Sequence, residues 1–256
     1  MKLFLEEDFR GSTLLHTWDV RLKIIGFIAL IFSFSFIKNI KLVPLMIVLS
    51  AILWIISKVP FYFLVRRWRI PSLFILIMDL IYLFFSKGDI LFHIGFLNIT
   101  YMGFINSVLL TTRALCILTL ANILFATTSY VDIVKGMGEL GLPVILTDMF
   151  LFTYRYIFEV GSNLEKMQRA MSLRGFKGKR IKDIGKLSSL VGAVFVRSYG
   201  QADRIYNAMI LRGYGENQMI KKVSLVSKQD KILLGIFVFL AVGMILLQVY
   251  LDVLGG

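Results

Sequence analysis

Two arginines in this chain stand inside the same phrase. Residues 170–176 read Ala-Met-Ser-Leu-Arg-Gly-Phe and residues 208–214 read Ala-Met-Ile-Leu-Arg-Gly-Tyr, so Arg174-Gly175 recurs 38 positions later as Arg212-Gly213. A guanidinium is a rigid fork of donors that meets a carboxylate through two parallel hydrogen bonds. The glycine beside it carries no Cβ, which lets a partner surface close over the arginine. Taken singly, an Arg-Gly pair is an ordinary helix ending, with a cation on the C-terminal dipole and a glycine cap. Duplicated inside a matched phrase, it suits a protein that grips two equivalent partners through two helix tips, presented side by side.

Other residues offer less chemistry. Asp79 and Arg113 lie inside apolar runs, where an ionised group normally turns toward protein and finds a partner. A structural pairing of Arg113 with Asp79 or Asp148 is expected. Tyr154-Arg155-Tyr156 reads as packing, and Lys177, Lys179, Arg180 and Lys182 as a surface attracted to lipid headgroups. One cysteine, Cys116, excludes a disulfide within the chain, and with only His16 and His93 beside it no metal site is expected. There is no Gly-rich loop ending in Lys-Ser/Thr, no His-Glu-x-x-His and no Gly-x-Ser-x-Gly. The expectation is a chain without catalytic residues or cofactors.

The elements that must position the arginines are helical and largely embedded in a membrane. Of 256 residues, 57% are apolar and 18% charged, with mean hydropathy +0.78. Apolar runs at 24–37, 42–57, 70–86, 102–126 and 232–251 give five spans, the first two short for a bilayer. Residues 1–10 are acidic, lack a signal-peptide core and read as retained. Net charge is +13, and 25 of the 29 Lys/Arg fall on one side of this topology, seventeen of them between 127 and 231. Lys38, Lys41 and Lys87 fall on the other side. That asymmetry predicts a multi-pass inner-membrane protein with a cytoplasmic N-terminus, and assigns the positive charge to membrane orientation rather than nucleic acid. The organisation is all-α: a four-helix membrane region at 1–126, a cytoplasmic region with both Arg-Gly motifs at 127–231, and a final span at 232–256.

Within the cytoplasmic region, Pro143 opens a helix predicted over 148–173, roughly 39 Å long at 1.5 Å per residue. A second helix follows over 187–211, stopped by Gly213 and Gly215. Ile157, Val160, Leu164, Met167, Met171 and Arg174 align at the repeat offset with Phe195, Ser198, Ala202, Ile205, Met209 and Arg212. Their steps of 3 or 4 draw one stripe on each helix. Small Ser198 and Ala202 admit bulky Val160 and Leu164, so the helices are expected to cross there. Elsewhere Pro60 and Pro71 bracket a basic loop carrying Arg66, Arg67 and Arg69, and residues 88–100 alternate loosely as a short exterior strand or loop.

These and other residues carry a family resemblance. His16-Thr17-Trp18-Asp19-Val20-Arg21-Leu22-Lys23 is similar to the His-x-Leu-Asp-Pro-Arg-x-Lys segment of the transmembrane T components of energy-coupling-factor transporters, with Val20 where proline is usual. Leu140-Gly141-Leu142-Pro143 resembles their Leu-Gly-x-Pro, and Tyr154-Arg155-Tyr156 their Tyr-Arg-Tyr. Glu165, Arg169-Ala170 and Leu173-Arg174-Gly175 resemble the first Arg-Gly signature; Gly192-Ala193 through Arg197, with Ala208-Met209 to Gly215, resemble the second. The chain is identified on these residues as a member of the cobalt/nickel branch, called CbiQ. The resemblance implies a non-catalytic scaffold for two ABC-type ATPase subunits and a substrate-binding S component, with Arg174 and Arg212 seated in the ATPases. Competing readings are a T component shared among vitamin-specific subunits, a membrane enzyme using Asp79, Arg113 and Asp148, and a membrane anchor for a nucleic-acid or lipid complex.

Overall fold

Hydrocarbon offers the backbone no hydrogen-bond partners, so a chain dominated by long apolar runs must satisfy its amides within helices. The computed structural model describes residues 14–85, 90–94, 97–176, 184–214 and 226–255. It is helical apart from one hairpin. A short helix α1 (Leu14–Thr17) precedes α2 (Val20–Phe36); a 3₁₀ turn (Ile40–Leu42) leads into α3 (Val43–Ser57), and α4 is Phe61–Phe85. After the hairpin come α5 (Tyr101–Ala126), α6 (Tyr130–Glu139), α7 (Val144–Leu173), α8 (Ile184–Ile210) and α9 (Lys228–Gly255). Among the described residues, Ile40–Ser57, Tyr101–Ala126 and Lys228–Val253 are long and apolar enough to cross a membrane. The other two expected spans fall on α2, of 17 residues, and on the second half of α4.

The region between Pro60 and Pro71, expected as a loop, is instead the first half of α4, which continues through Pro71. Proline removes one backbone donor there, and the turn holds together with the Ser72 hydroxyl donating to the Arg69 carbonyl (3.1 Å). Alternation over 88–100 produces strands β1 (Ile90–Ile94) and β2 (Leu97–Thr100), an antiparallel hairpin with Ile94 opposite Leu97 and a register shift between Ile90 and Phe92.

The described chain divides into two compact units: one holds α1 through Gly136 of α6 together with α9, the other runs from Met137 through α8. In the first unit α2 is the central helix. Phe27, Leu30 and Phe34 of α2 are buried with Leu120 and Ile123 of α5 and with Phe237, Ala241 and Met244 of α9. The Ser33 hydroxyl donates to the Ala241 carbonyl (2.9 Å), and Gln248 accepts from the amides of Lys38 and Asn39 (3.2 Å each), tying the α2–α3 turn to α9.

Asp19 starts α2. Its Oδ1 accepts from the Arg21 amide (3.0 Å), and its two oxygens take the Arg21 guanidinium at 3.1 and 2.9 Å. Val20 occupies the first helical position, where the N–H needs no intrahelical acceptor, so the turn forms without the proline of the resembled pattern. The Arg21 side chain holds the Asp19 carboxyl below the ordinary carboxylate range. A depressed carboxyl contributes stability above its unfolded pKa and loses it as pH falls through the folded one.

Gly26 lies where α2 meets α9 and Trp18. A Cβ at Gly26 would stand 3.1 Å from the Trp18 ring and 3.3 Å from Phe237, and those two rings already touch with centroids 4.9 Å apart. Trp18 is further held by its indole N–H, which donates to the Asp230 carbonyl (3.2 Å). Gly26→Val therefore overpacks this junction and should lower stability by about 1–3 kcal/mol. Thermal unfolding in mild detergent reads it as a lower midpoint; an unchanged midpoint would contradict this packing.

Candidate functional site

The repeated phrase folds into the same motif twice. At the end of α7, the Phe176 amide donates to the Met171 carbonyl (3.1 Å) and the Gly175 amide to Ser172 (3.0 Å), with Gly175 at φ +84°. At the end of α8, Tyr214 donates to Met209 (3.0 Å) and Gly213 to Ile210 (2.9 Å), with Gly213 at φ +79°. These are Schellman caps, with a methionine carbonyl receiving the last bond and an aromatic residue after the glycine. The glycines are required by the backbone, since no atom stands within 4 Å of a Cβ built on either. The cap turns Arg174 and Arg212 outward. Both side chains are exposed, and neither makes an ion pair among the described residues.

The two tips are not side by side. α7 and α8 pair antiparallel: the Tyr214 hydroxyl donates to Asp148 near the start of α7 (2.8 Å), and Gln201 donates to Glu159 midway (2.8 Å). Beyond that midpoint Met167, Met171 and Arg174 line a hollow with Leu190 and Ala193 of α8. The second helix thus folds back along the first. Arg174 and Arg212 consequently sit at opposite ends of the pair, roughly 35–45 Å apart from the 1.5 Å rise per residue.

Between the Tyr214–Asp148 and Gln201–Glu159 bonds the helices flank an open apolar groove of about 410 Å³. Val160 of α7 and Ser198 and Ala202 of α8 line it, with Phe152, Ile205 and Met209. Leu164 is half-buried one turn beyond Val160. The stripe drawn from the repeat is displaced at one end, because Ile157 (45% exposed) and Phe195 (72%) turn outward. Tyr156, next to Ile157, faces the groove instead. Both helices are apolar on more than one face, so periodicity alone leaves the facing edge undecided by one position. Hydrogen bonding to Asp148 raises the Tyr214 phenol above its ordinary pKa, which keeps it a donor to higher pH.

A family model described as "Cobalt transport protein", CbiQ, matches residues 11–222. This chain belongs to the CbiQ family. Its relatives include the energy-coupling factor transporter transmembrane protein EcfT of Listeria innocua serovar 6a, 28% identical over 225 residues, 83% of this chain and 85% of that one. The EcfT of Streptococcus equi subsp. equi is 24% identical over 258 residues, 93% of this chain and 96% of the relative. That of Bacillus subtilis is 24% identical over 246 residues, covering 90% and 93%. The CbiQ match spans both units and both arginine tips.

Arg113 does not pair with Asp79. Its Nη1 donates to the Ser35 carbonyl (3.1 Å) at the end of α2, while Asp79 accepts from the Thr111 hydroxyl and Asp148 from Tyr214. Helix-end carbonyls lie at the negative end of the helix dipole, so they satisfy guanidinium donors and bring no second charge to bury. The basic link Lys177, Lys179, Arg180 and Lys182 and Gly215 lie outside the described residues. Sequence reasoning passed over Leu173 and Leu211, which precede the arginines and are 91% and 88% exposed. Their signal was present, because the repeated phrase holds leucine at that position in both copies.

The left-handed cap makes a local prediction. Gly175→Ala and Gly213→Ala each force a Cβ into φ > 0 at about 1–2 kcal/mol, a factor of roughly 5–30 in opening of the last turn. Hydrogen exchange at the Phe176 and Tyr214 amides should quicken by that factor, and less in Gly→Asn variants. Unchanged exchange would show that the caps do not depend on glycine.

Proposed function

We propose that this chain is the transmembrane component of an energy-coupling-factor importer, a non-catalytic subunit. It couples two ATP-binding-cassette ATPases in the cytoplasm to a separate substrate-binding S component in the membrane, with cobalt or nickel ions as cargo. CbiQ membership and the names carried by the relatives support the class of component. The observation that carries the reading is the duplicated tip: one cap geometry, built twice, with an exposed arginine at each end of an antiparallel helix pair. Two like sites separated by a helix length suit two copies of one partner.

In this reading the N-terminus and residues 127–231 are cytoplasmic, as the Lys/Arg asymmetry favours. Arg174 and Arg212 each seat in one ATPase against an acidic group, while Gly175 and Gly213 let the partner surface close over them. ATP binding draws the ATPases together and displaces the two tips. Val160, Leu164, Ser198 and Ala202 lie where the helices meet, so the pair shifts as packed elements between discrete positions. The outward apolar residues of α8, among them Val191, Phe195 and Tyr199, provide surface for the S component and lipid.

An exposed arginine pair contributes about 0–1 kcal/mol, whereas breaking a buried one from one side costs about 3–5 kcal/mol, so docking must bury both arginines. Arg174→Ala with Arg212→Ala should release the ATPases from the complex or leave them hydrolysing ATP without uptake. Copurification in mild detergent and accumulation of radioactive cobalt by cells measure the two outcomes. Full uptake by the double variant would end this reading.

A further inference from the structure

Lys23, near the start of α2, is 1% exposed. Its ammonium donates to the Leu15 carbonyl (2.8 Å), the Thr127 carbonyl (3.1 Å) and the Thr128 hydroxyl (2.7 Å). Three donors meet three acceptors, and none is a carboxylate. A buried cation normally demands an opposite charge. Here the compensation is the C-terminal end of α5, a helix of 26 residues whose last carbonyls carry the negative end of its dipole.

Arg113 completes a reciprocal arrangement. It stands on α5 and donates to the Ser35 carbonyl at the C-terminal end of α2, with the Ile37 carbonyl at 3.5 Å. Each of the two antiparallel helices thus places a cation on the other's C-terminus. The two locks lie roughly 20 Å apart along the pair, from about 13 residues at 1.5 Å each. Sliding or rotating α2 against α5 would strip Arg113 of the Ser35 carbonyl and Lys23 of its Thr127 and Thr128 acceptors at once.

The Lys23 lock sits at the root of α6. Thr128 is followed by Ser129, whose hydroxyl accepts from the Asp132 amide (3.2 Å) and donates to its carboxylate (2.6 Å), starting α6. Gly136 of α6 then lies on the first turn of α2, where a Cβ would be 3.1 Å from the Val20 side chain. The same α6 continues into α7 through residues 140–143.

We infer that Lys23 is a positioning residue for energy coupling: it fastens the α5–α6 joint to α2, so that movement arriving along α6 displaces the membrane helices instead of being lost at the joint. This rests on the function proposed above. The lock contributes nothing to ATP hydrolysis and nothing to partner docking. Its effect falls on the amount of substrate moved per ATP.

The test uses the complete complex in liposomes, with uptake and hydrolysis measured on the same vesicles for wild type, Lys23→Met and Thr128→Val. Both variants should copurify with the ATPases and hydrolyse ATP at the wild-type rate. Substrate moved per ATP should fall about tenfold for Lys23→Met and about threefold for Thr128→Val, which removes one acceptor only. A wild-type ratio in Thr128→Val, or uptake and hydrolysis falling in parallel, overturns the inference. Failure of both variants to assemble overturns it too, since Lys23 would then serve folding alone. A wild-type chain that recruits no ATPase would instead defeat the proposed function.

Discussion

A helix that ends inside a membrane protein leaves its last carbonyls without donors from water, and a cation buried there lacks its hydration shell. In this chain each deficit answers the other. Lys23 of α2 takes the carbonyl of Thr127 and the hydroxyl of Thr128 at the end of α5, and Arg113 of α5 takes the carbonyl of Ser35 at the end of α2. The pair is locked at two levels without burying a carboxylate. The rest of the membrane unit is arranged on it: α9 packs on α2 over Gly26, and α6 begins two residues beyond the Thr128 contact of Lys23.

The second unit obeys a different constraint. Its helices meet around an open apolar groove held at two points by the Tyr214–Asp148 and Gln201–Glu159 hydrogen bonds. Such a pair has few deep contacts to resist displacement, and large apolar side chains remain on its outer faces. Its two ends are more sharply defined. Each is a Schellman cap that closes the helix on a methionine carbonyl and turns an arginine outward beside an exposed leucine. Under the proposed function, a loosely filled body with capped ends suits a lever gripped at its tips.

These two constructions divide the work of a CbiQ protein in a physically sensible way. Under the function proposed above, a component that moves no substrate itself needs a firm membrane platform and a responsive arm. The platform comes from dipole-compensated cations and an aromatic junction at Trp18 and Phe237. The arm comes from long helices that pack through a seam rather than a core, and α6, started by the Ser129–Asp132 cap, is the chain's path from one to the other.

Much of this was present in the sequence by itself. The apolar runs determined the helices, because a backbone in lipid has no alternative, and the duplicated Leu-Arg-Gly phrase determined both caps, because glycine is what a left-handed position requires. The resemblance of residues 16–23 to a family pattern marked Asp19, Arg21 and Lys23 without revealing their roles. Tertiary structure alone decided the partners. Whether Arg113 would meet Asp79 or helix-end carbonyls depended on which antiparallel neighbour reached it, and whether Arg174 and Arg212 would stand together or far apart depended on the direction of α8 against α7. Periodicity reports which face of a helix is apolar; it carries no information about which other element covers that face, since the pairing energy belongs to two segments distant in the chain.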